Sequence, residues 1–198
     1  MGGHIKTTIW SWNVNGLRAV LKKDFITTIN REKIDIIGLQ ETKLQEHQIP
    51  EELGKLSQYH QYWSHAERKG YSGTALFSKV KPISFNTTFG VEEFDTEGRI
   101  NIAEYERFIL MNIYFPNGGQ GDERIAYKLR FYDKALEVMQ AKRASGKAIL
   151  VAGDYNTAHK EIDLARPKEN EEVTGFLPIE RAWLDKFVAQ GWVDTFRM

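Results

Sequence analysis

Ala148-Ile149-Leu150-Val151-Ala152-Gly153-Asp154-Tyr155-Asn156 is an apolar run that breaks on a glycine and then delivers a carboxylate and a carboxamide. The run has the length and composition of a buried strand bounded by polar residues. A strand ended in this way puts Asp154 and Asn156 at its carboxyl end, the rim where an open sheet presents its chemistry. Side chains alternate along a strand, so Asp154 and Asn156 are expected to point one way and Tyr155 the other. An acceptor beside an amide suits holding a water and a phosphate oxygen together. A plain turn is the competing reading, because Gly, Asp and Asn are ordinary turn residues.

Working outward, other strands end in the same fashion. A strand over residues 5 to 12 is broken by Asn13-Val14-Asn15-Gly16, and the run 34 to 39 ends in Gln40-Glu41-Thr42-Lys43. Residues 107 to 115 end in Tyr114-Phe115-Pro116-Asn117 and pair with 100 to 105 as an antiparallel hairpin. Elements that each finish in a carboxylate, an amide or a phenol describe a site at one rim of a sheet. Helices are expected over 18 to 31, just after Pro50, over 122 to 144 with Asp122 as cap, and over 179 to 190 with Gly191 closing it. Trp192 to Phe196 reads as the start of a further strand. Hairpins mixed with helical crossovers place the chain in the α/β (α+β) class with mixed sheets.

Composition narrows the function. The 198 residues, 41% hydrophobic and 27% charged, are expected to form a single domain with a sizeable core. Lys plus Arg and Asp plus Glu are both 27, so a polyanion would have to be met by a local basic face. The absence of cysteine excludes disulfides, thiolate zinc sites and cysteine nucleophiles. The start, Met1-Gly2-Gly3-His4-Ile5-Lys6, lacks the apolar core of a signal peptide, and no stretch is suited to spanning a bilayer. A cytoplasmic protein is expected, nucleoid-associated if the source is prokaryotic. Glu41 and Asp154, surrounded by amides and a tyrosine, suit a hard divalent cation with oxygen ligands. Magnesium takes only one or two protein carboxylates and keeps its waters, so Glu41 alone can hold it, and phosphoester hydrolysis follows as the expected chemistry.

A family resemblance rests on longer blocks. These are Ser11-Trp12-Asn13-Val14-Asn15-Gly16-Leu17-Arg18-Ala19, Leu39-Gln40-Glu41-Thr42-Lys43, Arg68-Lys69-Gly70-Tyr71-Ser72-Gly73 and Glu97-Gly98-Arg99. They continue with Asn112-Ile113-Tyr114-Phe115-Pro116-Asn117-Gly118, Gly153-Asp154-Tyr155-Asn156 with Glu161-Ile162-Asp163-Leu164, and Gly175-Phe176-Leu177-Pro178 through Asp194-Thr195-Phe196-Arg197. In these blocks the chain resembles the exonuclease III family of apurinic/apyrimidinic (AP) endonucleases, within the endonuclease/exonuclease/phosphatase superfamily. The blocks run in family order over essentially the whole chain.

The resemblance implies a four-layered α/β sandwich, two mixed sheets flanked by helices. It implies Mg²⁺, with Mn²⁺ as a substitute, at Glu41 assisted by Asn13 and Asn15. Asp154 is implied as the base or orienting group for the attacking water, with Asn156 fixing its position, and Tyr114 and Asn117 as contacts to the scissile phosphate or leaving oxygen. The implied reaction is hydrolysis 5′ to an abasic site in duplex DNA, in base excision repair, with 3′-phosphodiesterase and 3′→5′ exonuclease action as accompaniments. Candidate DNA contacts are Arg18, Lys43, Arg68, Lys69, Tyr71 and Arg99, where cations meet phosphates and Tyr71 packs on the backbone or sugar. A monomer is expected when complete.

One departure qualifies the match. Family chains continue past the Asp-Thr-Phe-Arg block with a Trp-Arg-(Ile/Leu)-Asp block and a Ser-Asp-His block. None of His4, His47, His60, His65 and His159 lies in such a block. The fold is therefore expected to be C-terminally incomplete, stopping before its last strands. The chain taken alone is then expected to run at least about a hundredfold slower, the worth of one positioned phosphate-stabilising group. The alternative is an impaired DNA-binding or structural remnant that needs the missing part. A superfamily phosphatase acting on inositol phosphates or sphingomyelin is a third reading, against which the 68–73 turn and the 161–164 extension argue.

Overall fold

The computed structural model describes residues 6–198. The expected strand start at Ile5, and the segment Met1-Gly2-Gly3-His4, lie outside the described residues. By its internal contacts the chain divides into two compact units, residues 1–114 with 142–154, and residues 115–141 with 155–198.

The first unit is built on two mixed four-stranded sheets. One sheet holds β1 (Ile9–Asn13), β2 (Ile36–Gln40), β3 (His60–Ser64) and β4 (Thr74–Ser78) in the order β1-β2-β4-β3. β1 and β2 run parallel, and the remaining pairs are antiparallel. The other sheet holds β5 (Ser84–Asn86), β6 (Ile100–Glu104), β7 (Phe108–Tyr114) and β8 (Ala148–Asp154) in that order. β6 and β7 form the expected antiparallel hairpin, and β8 adds to β7 in parallel, with Asp154 opposite Tyr114. The α/β class with mixed sheets is thus observed.

Period-two alternation assigns the two faces of the first sheet. Ile37 and Leu39 of β2, with Ala75 and Phe77 of β4, pack on Leu17 of α1 (Leu17–Leu21) and on Phe25 and Ile29 of α2 (Phe25–Arg31). Ile36 and Leu76 point the other way, into a second cluster with Ala103, Tyr105 and Leu110 of the facing sheet. Gly38 lies on that inner face because a Cβ there would come within 2.6 Å of the Asn112 carboxamide. Asn112 is fully buried and satisfied: its nitrogen donates to Leu39 O, Ala75 O and Asn101 Oδ1, and its oxygen accepts from Gln40 Nε2. A buried amide that is fully paired ties the sheets in one register instead of costing stability.

The single helix expected over 18 to 31 is two helices. Lys22, Lys23 and Asp24 interrupt it, and Asp24 adopts the left-handed region at φ 59°. No α-helix of L residues continues through that conformation. A short helix α3 (Glu92–Asp95) precedes β6. The helix after Pro50 is a 3₁₀ segment, Glu51–Leu56, with Pro50 flanking it.

The second unit is organised by α4 (Asp122–Arg143), α5 (Pro167–Asn170) and α6 (Pro178–Ala189). Asp122 is the first residue of α4 instead of its cap. Phe131 and Tyr132 of α4 pack edge-on against Phe115, Tyr155 stacks on Phe115, and Trp183 of α6 leans on Tyr132. Burial of the Tyr155 phenol, helped by the Asp194 charge, pushes its pKa well up. Trp192 to Phe196, expected to start a strand, forms none among the described residues.

Candidate active site

Within the first unit, Asn13 ends β1, Gln40 ends β2, Tyr114 ends β7 and Asp154 ends β8. The two parallel pairs thus deliver their carboxyl ends to one rim, as the strand-ending residues led one to expect. Gly153 makes the approach of β8 possible. It has φ 136°, and a Cβ there would collide with Ile113 O.

Asn13 is the centre of the rim. Its Oδ1 accepts the Asn15 N–H at 3.0 Å, which fixes which end of the carboxamide points where. Its Nδ2 then donates to Glu41 Oε1 at 2.9 Å and to Asp154 Oδ2 at 2.7 Å. One amide nitrogen therefore holds two carboxylates that would otherwise repel. Asn13 assists Glu41 by donating to it. Burial pushes the Glu41 carboxyl up, but hydrogen bonds from Asn13, Lys43 and Tyr114, with the Lys43 charge, outweigh it and hold Glu41 below the usual carboxylate range. Asn15 is exposed, and its Oδ1 accepts from Lys43 Nζ at 2.5 Å.

The expected cations separate into two kinds. Arg18, Arg68 and Lys69 are exposed, and the Arg68 guanidinium lies 5.3 Å from the centre of the half-buried Tyr71 ring. Arg99 does not belong with them. It is only 2% exposed, and its donors reach Glu97 (2.5 Å), Tyr114 O (3.0 Å) and Tyr71 OH (2.9 Å). Its guanidinium also lies 4.6 Å from the Tyr114 ring centre. Buried in this way, Arg99 is not placed as a surface phosphate contact; with Nε, Nη1 and Nη2 each donating to a protein group, it is the strut that holds Tyr71 and Tyr114.

In the second unit, Asn156 adopts φ 50° and donates from Nδ2 to Phe115 O at 2.7 Å, which fixes the carboxamide. Asn117 is exposed, and its Oδ1 accepts the Gly119 N–H at 2.6 Å. His159 Nε2 donates to the Asp185 carboxylate at 2.8 Å.

Sequence reasoning missed Lys128 and Glu180. Lys128 Nζ lies 2.6 Å from Glu180 Oε1, both side chains are 0% exposed, and the same ammonium donates to Asn156 O at 2.7 Å. Glu180 also accepts from Thr174 Oγ1 and from the N–H groups of Gly175 and Leu177 at the start of α6. The available signal was a carboxylate in the first helical turn behind Pro178.

A divalent cation is compatible with this rim on donor chemistry. Among the described residues no group of three or more His, Asp or Glu side chains gathers. Two carboxylates held side by side, with amide and phenol oxygens around them, fit a hard ion that keeps waters and takes substrate oxygens.

Comparison with known proteins agrees with this geometry. Residues 10–197 match the family model described as Endonuclease/Exonuclease/phosphatase family. The chain is 45% identical over 191 residues to an exodeoxyribonuclease of Bacillus subtilis (strain 168), covering 94% of this chain and 73% of that protein. It is 39% identical to the DNA repair nuclease APEX1 of Danio rerio, covering 96% of this chain and 61% of that one. An AP endonuclease structure from Archaeoglobus fulgidus superimposes with a TM-score of 0.86 at 27% identity, over 97% of this chain and 74% of that one. The rim that gathers Asn13, Glu41, Tyr114 and Asp154 thus lies within a matched sequence, and the chain belongs to the Endonuclease/Exonuclease/phosphatase family, among its exodeoxyribonuclease and AP-endonuclease members.

Proposed function

We propose that this chain carries the catalytic rim of a Mg²⁺-dependent DNA repair nuclease that hydrolyses the phosphodiester 5′ to an abasic site. Removal of 3′-blocking groups and 3′→5′ exonucleolytic action belong to the same proposal. The observation that carries it is the Asn13 carboxamide holding the Glu41 and Asp154 carboxylates together, with the Tyr114 hydroxyl on Glu41. The names of the relatives support a DNA substrate.

Glu41, assisted by Asn13 and Asn15, would hold Mg²⁺, and Mn²⁺ would serve in its place. When bound, the ion supplies positive charge to a phosphate oxygen. Asp154 accepts the proton of the attacking water, and Asn13 keeps that carboxylate turned to its task. Tyr114 contacts the phosphate or the leaving oxygen. Arg18, Arg68 and Lys69 bind backbone phosphates, and Tyr71 packs against the sugar.

The test is nicking of a duplex carrying one abasic site. Cleavage should require Mg²⁺ or Mn²⁺, stop in EDTA and fall at least about a hundredfold in Asp154→Ala. Undiminished cleavage by Asp154→Ala, or equal cleavage of undamaged duplex, would reject the reading. Phosphate release from inositol phosphates with DNA left intact would favour a phosphatase instead.

A further inference from the structure

Lys43 sits in the sequence where a phosphate-binding lysine is expected, yet its side chain turns inward. Its Nζ lies 2.9 Å from Glu41 Oε2 and 2.5 Å from Asn15 Oδ1, with the side chain 35% exposed. We propose that the Lys43 ammonium is an internal counter-ion for Glu41 that a divalent metal ion must displace. The proposal rests on the reading that Glu41 holds the metal.

The backbone is built for this arrangement. Asn15, Glu41, Lys43 and Ser72 all have positive φ, at 44°, 56°, 54° and 45°. That region is sparsely populated for residues other than glycine, and such conformations persist only where the surroundings over-determine them. Here the Lys43 N–H donates to Ser72 O, the Thr42 N–H to Gly73 O, and the Gly16 N–H to Glu41 O. These bonds lock the three segments so that one carboxylate oxygen and one carboxamide oxygen converge on the lysine nitrogen. Anionic and amide oxygens are the donors a hard cation takes. The ammonium therefore occupies the position a metal would use.

Both cations cannot keep Glu41. A dication and an ammonium within a few ångströms repel strongly at a partly buried site. Metal loading thus expels Lys43 toward solvent, where its flexible stem can reach a DNA phosphate. A DNA phosphate that draws Lys43 away frees Glu41 for the metal. The two ligands then favour each other by the same factor, as linkage requires.

The test is Mn²⁺ binding without DNA, read from the free-ion electron paramagnetic resonance signal on the full chain. Lys43→Met should bind Mn²⁺ roughly tenfold tighter than wild type, the effect of one partly screened unit charge. Lys43→Gln, which keeps a group near Asn15 without the charge, should do likewise, and melting curves establish that each variant is folded. Lys81→Met, an exposed lysine of the same unit, should stay within about twofold, which separates displacement from general surface charge. Unchanged or weaker binding in folded Lys43→Met and Lys43→Gln, or an equal gain in Lys81→Met, overturns the proposal. If wild type binds and Glu41→Gln does not, the metal reading survives that failure; if no variant binds, both fall.

Discussion

Asn13 and Asp154 are joined by a 2.7 Å hydrogen bond across 141 residues of sequence, from the first strand to the eighth. The same nitrogen holds Glu41, so the bond decides how closely two like charges can stand. Asn13→Ala should leave both carboxylates without their shared donor and lower abasic-site nicking at least about a hundredfold. Asn13→Asp should lower it at least as far, by adding a third negative charge. Steady-state nicking at matched Mg²⁺ reads both, and activity within about threefold of wild type would show that Asn13 merely closes a turn.

The burial difference between Arg99 and Lys69 separates two kinds of loss. Lys69→Gln should weaken DNA binding uniformly over sequence and flatten its salt dependence by about 0.9 in the logarithmic slope, with no change in melting temperature. Arg99 serves Glu97, Tyr71 and Tyr114 from one planar group, which a lysine cannot do. Arg99→Lys should therefore leave that slope alone but cost about 2–4 kcal/mol of stability. Anisotropy titrations over a range of salt, with denaturant melts, measure both. A reduced salt slope in Arg99→Lys would return Arg99 to the DNA face.

Lys128 and Glu180 form an ion pair with no exposed side-chain surface. Removing one partner leaves a buried charge, so Lys128→Met should cost about 3–5 kcal/mol in chemical denaturation. Lys128→Met with Glu180→Gln should recover part of that loss, since the neutral amide avoids the stranded charge. Strict additivity of the two substitutions would count against the pairing.

Tyr105 sets a response to alkaline pH. Burial pushes its phenol up to about 12, against the opposing hydrogen bond to Ser78. The folded value lies above the unfolded value of about 10. The contribution to stability is therefore complete below about pH 10 and is lost as pH rises from there toward about 12. Tyr105→Phe should flatten the fall in stability over that window, while costing about 1 kcal/mol at neutral pH for the Ser78 bond. Urea midpoints at pH 8, 10 and 11 check the sign.

Much of the fold was legible because its strands are short, apolar and closed by polar residues, as at Gln40, Tyr114 and Asp154. Residues 18–31 carry the apolar spacing of one continuous helix; the left-handed backbone at Asp24 is a local conformation that periodicity does not encode. Trp192 to Phe196 has strand-like composition, but composition cannot supply a pairing partner. The gathering of strand ends at one rim was readable from the types of residue that close them.

The sequence by itself determined the strand ends, the absence of thiol chemistry and the family blocks, since these depend on residue type and order along the chain. The tertiary structure alone decided the partners. It turned Lys43 toward Glu41, buried Arg99 between two tyrosines and set Lys128 against Glu180. A cation's role depends on which anions and rings lie within a few ångströms and on how much water is excluded, and sequence distance carries neither. The opening stretch shows both halves of this. Its apolar run announced Asp154 as a strand end, although the alternation expected to carry on to Asn156 stops there, since Asn156 has left the strand at φ 50°. Only the packing of β1 against β8 supplied the Asn13 amide that makes this carboxylate a neighbour of Glu41.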